Sequence, residues 1–270
     1  MLFRYEYHGG VWVDLEQPTE DELRSIVREF SLSENIEKEL SSPTPAPMVA
    51  DGGGAALLVL HFPAPGAESE ATKNQEVDFV VGKQCIVTVR YEVVAPLHHL
   101  KKLFETRDLV AGHESITTDV LLEILFAHLY ASVRDHANHL TNCLEHIERD
   151  MFDGHERKTV RAISNVSRAF LHLEAELASQ EEPLDRFLKA PVLRGFFPVS
   201  FEERAERVRA ERTQVMRLVK THRAVATEMR ETNNALLEAH QNQIMKALAV
   251  LTVIAELLVV AFSALLVFNV

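Results

Sequence analysis

The sequence predicts an α+β protein: an N-terminal α/β sandwich, then a helical bundle and stalk, then a C-terminal transmembrane helix. Three observations predict it. Short alternating or apolar runs bounded by Pro and Gly are confined to the stretch from Leu2 to about Phe104. From about Ser115 the strand signal disappears and long helical patterns take over. The last stretch, from Asn242 to Val270, reads NQIMKALAVLTVIAELLVVAFSALLVFNV, apolar on every face with one carboxylate, Glu256, in its middle.

In the first region, LFRYEY, VWVDL, ALLVLHF, VDFVVG and QCIVTVRY read as strands. PTEDELRSIVREF reads as a helix, because Thr19 followed three residues later by Glu22 is a capping box and Leu23, Ile26, Val27 and Phe30 recur at helical spacing. SENIEKEL and PLHHLKKLF read as two more helices. SSPTPAPMVADGGG and PAPGAESEATKNQE, rich in breakers, are predicted as loops.

The helical region is punctuated twice, at Gly154 and in KAPVLRGFFPVS. The spacing therefore predicts a helix of about 35 residues, a second of about 30, and a third starting near Ser200. That third helix meets no Gly or Pro between Phe201 and Ile244, is dense in Glu and Arg, and would extend roughly 65 Å before the apolar tail. The predicted domains are thus 1–110 (α/β), 111–199 (an antiparallel helical pair), 200–244 (stalk) and 245–270 (membrane helix).

Composition narrows the function. A net charge of -12 argues against a nucleic-acid partner, which would need a basic stripe. Cys85 and Cys143 fit neither a disulfide framework nor a C-x-x-C site, consistent with a reducing interior. The N-terminal MLFRYEYHGGVWVDL has no secretory h-region. No P-loop, dinucleotide fingerprint, H-E-x-x-H or nucleophile elbow occurs, and the chain is not expected to be an enzyme or to bind an organic cofactor. His136, His139 and His146 share a helical face, and the i, i+3 pair could chelate a transition metal, but with no fourth ligand the favoured reading is a polar helix face.

Between Ala247 and Phe268 the only ionisable residue is Glu256, and about 20 apolar helical residues cross a hydrocarbon core of about 30 Å. Arg223, Arg230 and Lys246 precede the segment and no basic residue follows it, which places the N-terminal domain in the cytoplasm at the cell or inner membrane. Asn242, Met245, Ala249, Thr252, Glu256, Val259 and Ser263 alternate in steps of three and four, so they fall in a wedge of roughly 100°. Glu256 sits ten residues past Lys246, about 15 Å deep. A lipid-exposed carboxylate there costs at least about 2.5 kcal/mol, so it should face a cavity, a partner or a cation. The remaining alternative is a protonated Glu hydrogen-bonded between helices.

MRETNNALLEAHQNQIMKALAVLTVI resembles the segment by which the CorA family of divalent-cation (magnesium/cobalt) transporters enters its first membrane helix, where Asn-x-x-Met-Lys-x-Leu precedes the bilayer; here these are Asn242, Met245, Lys246 and Leu248. WVDLEQPTEDEL, from Trp12 to Leu23, resembles the family's W-[IV]-D-L-x-x-P-T-x-x-E-L opening. The resemblance implies a homopentamer with an α/β cytoplasmic domain and a long stalk helix continuing as the pore-lining membrane helix, carrying Mg²⁺ or another divalent cation. It implies pore-facing positions at Asn242, Met245, Leu248, Ala249, Thr252, Glu256, Val259 and Ser263, with Glu256 as the metal-facing group where the family keeps an apolar constriction. It also implies a Gly-Met-Asn filter at about Leu266 to Phe268, where this chain reads LLVFNV, and a second membrane helix, expected here to be missing by truncation or reduction. Two readings follow: a CorA-like cation channel or transporter subunit, or a non-conducting, membrane-anchored regulatory or scaffold subunit.

Overall fold

A computed structural model describes residues 1–52, 54–64, 74–110 and 116–268, and the side chains of these except at 107–110, 156 and 261–268. Six strands form one sheet in the order β1-β2-β6-β5-β4-β3: β1 (Leu2–Tyr7), β2 (Gly10–Glu16), β3 (Met48–Gly52), β4 (Ala55–Pro63), β5 (Asn74–Gly82) and β6 (Cys85–Arg90). The β2–β6 pair is parallel and the other four pairs are antiparallel. Because successive side chains point to opposite faces, strands β2 to β6 each feed two cores, whereas edge strand β1 buries only the face carrying Tyr5 and Tyr7. Val13, Leu15, Leu57, Val59, Val80 and Val87 pack under α1 (Glu20–Glu29) and α2 (Glu34–Leu40), while Trp12, Leu58, Leu60, Phe79 and Ile86 pack under the larger helical layer. The capping box at Thr19 forms as expected, with Glu22 N donating to Thr19 Oγ1 and Thr19 N donating to Glu22 Oε2.

The W-x-D part of the opening motif has a structural cause. Trp12 Nε1 donates to Thr88 Oγ1 (3.0 Å), and Thr88 donates to Asp14 Oδ1 (2.7 Å). Arg90 closes the chain, with Nη2 2.7 Å from both Asp14 Oδ2 and Glu16 Oε2. The parallel register sets Asp14 beside Thr88 and Glu16 beside Arg90, so this fully buried arginine ties β2 to β6.

The helical layer contains α3 (Ala95–Val110), α4 (Thr118–Phe152), α5 (Glu156–Ser179), α6 (Glu181–Leu193) and α7 (Phe201–Phe268). Gly154, at φ +84°, makes the break between α4 and α5. Two sequence expectations are corrected. The second helix, expected at about 30 residues, divides at Gln180, whose fully buried amide donates to the His61 carbonyl and accepts from Tyr130 Oη. Met48–Gly52, expected as loop, is edge strand β3, held by its antiparallel ladder to β4. The other predicted loop lies mostly at 65–73, outside the described residues.

Helix α7 runs unbroken for 68 residues, about 100 Å. Its half against the domain has a 3.5-residue repeat: Phe201, Ala205, Val208, Arg212, Val215, Val219, His222, Ala226, Met229 and Asn233 follow one another in alternating steps of four and three. This is the spacing of a coiled-coil seam, and it packs against α4 and α5. Its three polar members have partners: Arg212 Nη1 donates to the Leu177 carbonyl (2.6 Å), His222 stacks on Phe170, and Asn233 Oδ1 accepts from Thr159 Oγ1 (2.9 Å).

Candidate functional site

Every described side chain of α7 from Glu238 to Val260 is exposed, and beyond Ile244 the helix leaves the domain. The exposure is large and on all sides: Met245 is 66 % exposed, Leu251 61 % and Leu258 65 %. Water is a poor solvent for such a surface, at roughly 25 cal/mol per Å² of apolar area. Among the described residues α7 is the one helix long and apolar enough to cross a membrane, and none of that apolar stretch is buried within the chain. A helix satisfies its own backbone groups, so it tolerates lipid.

Within this segment the side chains of Asn242, Met245, Leu248, Ala249, Thr252, Glu256 and Val259 are all exposed rather than packed into the domain. Ser263 lies on α7 with its side chain outside the described residues. Thr252 Oγ1 donates to the Leu248 carbonyl (2.9 Å), which satisfies the hydroxyl within the helix and leaves Glu256 as the strongly polar group of the wedge. On a straight helix the wedge is rotated by roughly a third of a turn from the seam that meets α4 and α5. The polar strip therefore points away from its own domain.

Residues 7–257 match the sequence profile of the CorA-like Mg²⁺ transporter protein family, nearly the whole chain. The chain belongs to the CorA family. It is 20% identical over 257 residues to the cobalt/magnesium transport protein CorA of Methanocaldococcus jannaschii, covering 93% of this chain and 77% of that relative. The complete structure of the CorA magnesium transporter from the same organism superposes with a TM-score of 0.71 at 18% identity, covering 92% of this chain and 76% of that one. The ZntB cytoplasmic domain from Vibrio parahaemolyticus gives 0.66 at 9% identity, covering 84% and 89%. At these identities the structural likeness establishes the fold. The sheet with its helices, the helical stalk and the long C-terminal apolar helix of this CorA-family chain are that fold.

The histidines expected on one face of α4 do share a feature of the structure. His136, His139 and His146 line a cavity of about 600 Å³ between α4 and α5, joined by His172, which the sequence reading did not single out. Burial, then the neighbouring His139 and His172, hold the His136 imidazole below its ordinary pKa. His146 Nδ1 lies 2.7 Å from the Asn142 carbonyl oxygen, and His139 Nε2 lies 3.9 Å from Cys143 Sγ. No three His, Cys, Asp or Glu side chains are grouped to hold a metal ion among the described residues, so these histidines do not assemble into a metal site there. A second cavity, of about 270 Å³, lies where the α4–α5 turn meets α7 just below the apolar segment. Its residues come from chain segments some 80 positions apart, and no local motif marks it.

Proposed function

We propose that this chain is one subunit of a homo-oligomeric, CorA-type conduit for a divalent cation, Mg²⁺ or Co²⁺, with the wedge from Asn242 to Ser263 facing the axis and the sheet domain in the cytoplasm. The observation that carries it is the position of Glu256: the one carboxylate in an exposed apolar helix, on a strip that faces away from its own domain. In a symmetric assembly the copies of Glu256 converge on the axis, where a ring of carboxylates concentrates cations. Packing against copies also removes Glu256 from lipid. Family membership, the likeness to a cobalt/magnesium transport protein and the pentameric assembly that the resemblance implies support a pentamer. Uptake of Mg²⁺ and Co²⁺ into proteoliposomes under an inside-negative potential tests it, with mass measurement of the assembly in detergent. A monomer at micromolar concentration, or vesicles that stay tight to both ions, would count against it.

A second reading has one specific observation in its favour. Where the resemblance implies Gly-Met-Asn, at about Leu266 to Phe268, the chain carries Leu266, Val267 and Phe268. A non-conducting regulatory or scaffold subunit would need no filter, and it would assemble in detergent yet pass no ion.

A further inference from the structure

The larger cavity, of about 600 Å³ between α4 and α5, contains none of the wedge residues and has no role in the conduit. Its volume falls in the range of small-molecule pockets, about 300–1,000 Å³. Leu140, Ile147 and Val166 give it an apolar wall, and polar groups gather at its two ends. At one end stand His136 of α4 and His172 of α5, near enough for each charge to be felt by the other. His136 Nδ1 and His172 Nε2 are both buried and have no hydrogen-bond partner among the described residues. Pro63 and Ala64 close this end, because Gln180 ties the His61 carbonyl of β4 to the last turn of α5.

At the other end, toward Gly154, Lys158 and Arg161 lie three apart on one face of α5. Both are exposed and form no ion pair with a carboxylate among the described residues. Arg161 and His172 are eleven residues apart, so the two ends are separated by about 16 Å along α5. Buried polar atoms without partners are costly, and a bound molecule that supplies the partners removes the cost. Water would satisfy the two nitrogens but leave the apolar wall between them and the cations wetted. A phosphate monoester, carrying about -1.5 to -2 charge, matches the two cations better than a carboxylate does. An imidazole presents a donor or an acceptor, so the histidine pair can meet a ring edge that both donates and accepts, as a nucleobase edge does.

We propose that this cavity binds a nucleoside monophosphate, with the phosphate on Lys158 and Arg161, the ring along the wall of Leu140, Ile147 and Val166, and the base edge on His136 and His172. The ligand thereby clamps α4 to α5, the two helices against which the seam of α7 packs. The site is independent of whether the chain conducts.

The test is calorimetric titration of the full chain in detergent and EDTA with the monophosphates of adenosine, guanosine, cytidine and uridine in turn. At least one should bind saturably, and about 10-fold or more tighter than its nucleoside or ribose 5-phosphate, each of which lacks one end of the ligand. Arg161→Gln should weaken that nucleotide by at least about 10-fold and leave the nucleoside unchanged. His172→Leu should erase the advantage over ribose 5-phosphate, and Lys83→Gln, on an exposed turn of the sheet domain, should change neither. Emission of Trp12 during heating shows that each variant is folded. A readout without variants uses the two half-buried thiols: Cys143 lines the cavity and Cys85 does not, so the nucleotide should slow alkylation of Cys143 alone. No saturable binding of any of the four, parent-like binding by Arg161→Gln, or unprotected Cys143 would overturn the site. Ribose 5-phosphate or inorganic phosphate binding as tightly as the nucleotide would overturn the assignment to a nucleoside ligand.

Discussion

Replacing Arg90 by Met should be among the most damaging single changes in the soluble domain. The guanidinium is fully buried, pairs with Asp14 through Nε (3.2 Å) and Nη2 (2.7 Å), and reaches Glu16 with the same Nη2. Methionine fills much of the volume but leaves Asp14 charged, desolvated and held only by Thr88. Removing one member of a buried pair costs about 3–5 kcal/mol. For a domain of this size, 1 kcal/mol moves the melting temperature by about 2–4 °C, so a fall of roughly 6–20 °C is expected. The assay is built into the chain: Trp12 is its only tryptophan, fully buried and hydrogen-bonded to the same Thr88, so its emission during heating reports on this network. Asp14→Asn in the Arg90→Met background should recover part of the loss, because the uncompensated charge is gone. An Arg90→Met protein melting within 2 °C of the parent would refute the claim that this pair holds β2 to β6.

Other perturbations follow from single contacts. Burial, then the Glu76 carboxylate, hold the carboxyl of Asp78 well above the usual carboxylate range, against the hydroxyl of Tyr91. A carboxyl raised on folding gives stability that is fully present at acid pH and lost as pH climbs from about 4 toward its folded value. The melting temperature of Asp78→Asn should therefore gain on the parent between pH 4 and pH 8; a gap that stays constant with pH contradicts the assignment. Arg212→Met removes the donor to the Leu177 carbonyl at the end of α5 and should cost about 1–3 kcal/mol, measured by loss of helical circular dichroism on heating. Gly154→Ala meets no atom within 4 Å, so its cost is the backbone strain of φ +84° alone, about 1 kcal/mol, or 2–4 °C in melting temperature.

Local signals carried most of the fold into the sequence. Five of the six strands, the capping box at Thr19 and the break at Gly154 depend on alternation, side-chain-to-backbone capping and backbone freedom within a few residues. What was hidden depends on partners far along the chain. Strand β3 lies between Pro47 and Gly54 and exists because β4 offers it a ladder. Gln180 looks like an ordinary helix residue until His61 and Tyr130 claim its amide. The seam of α7 was obscured because Arg212, His222 and Asn233 stand where apolar residues would mark the repeat. Of the candidate site, the polar wedge was legible because a helix converts spacing directly into direction, whereas the cavity at the α4–α5 turn required knowing which turn meets which part of α7.

Glu256 gives the most direct test of the conduit. Glu256→Gln keeps the shape and removes the charge from each copy of a ring that is read as facing the axis. In proteoliposomes under a fixed inside-negative potential, the account predicts that the parent takes up Mg²⁺ or Co²⁺, and that Glu256→Gln reduces the initial rate several-fold while the mass of the assembly stays unchanged. Parent-like uptake by Glu256→Gln would contradict the axial role of Glu256 and leave it as an interhelical hydrogen-bonding group.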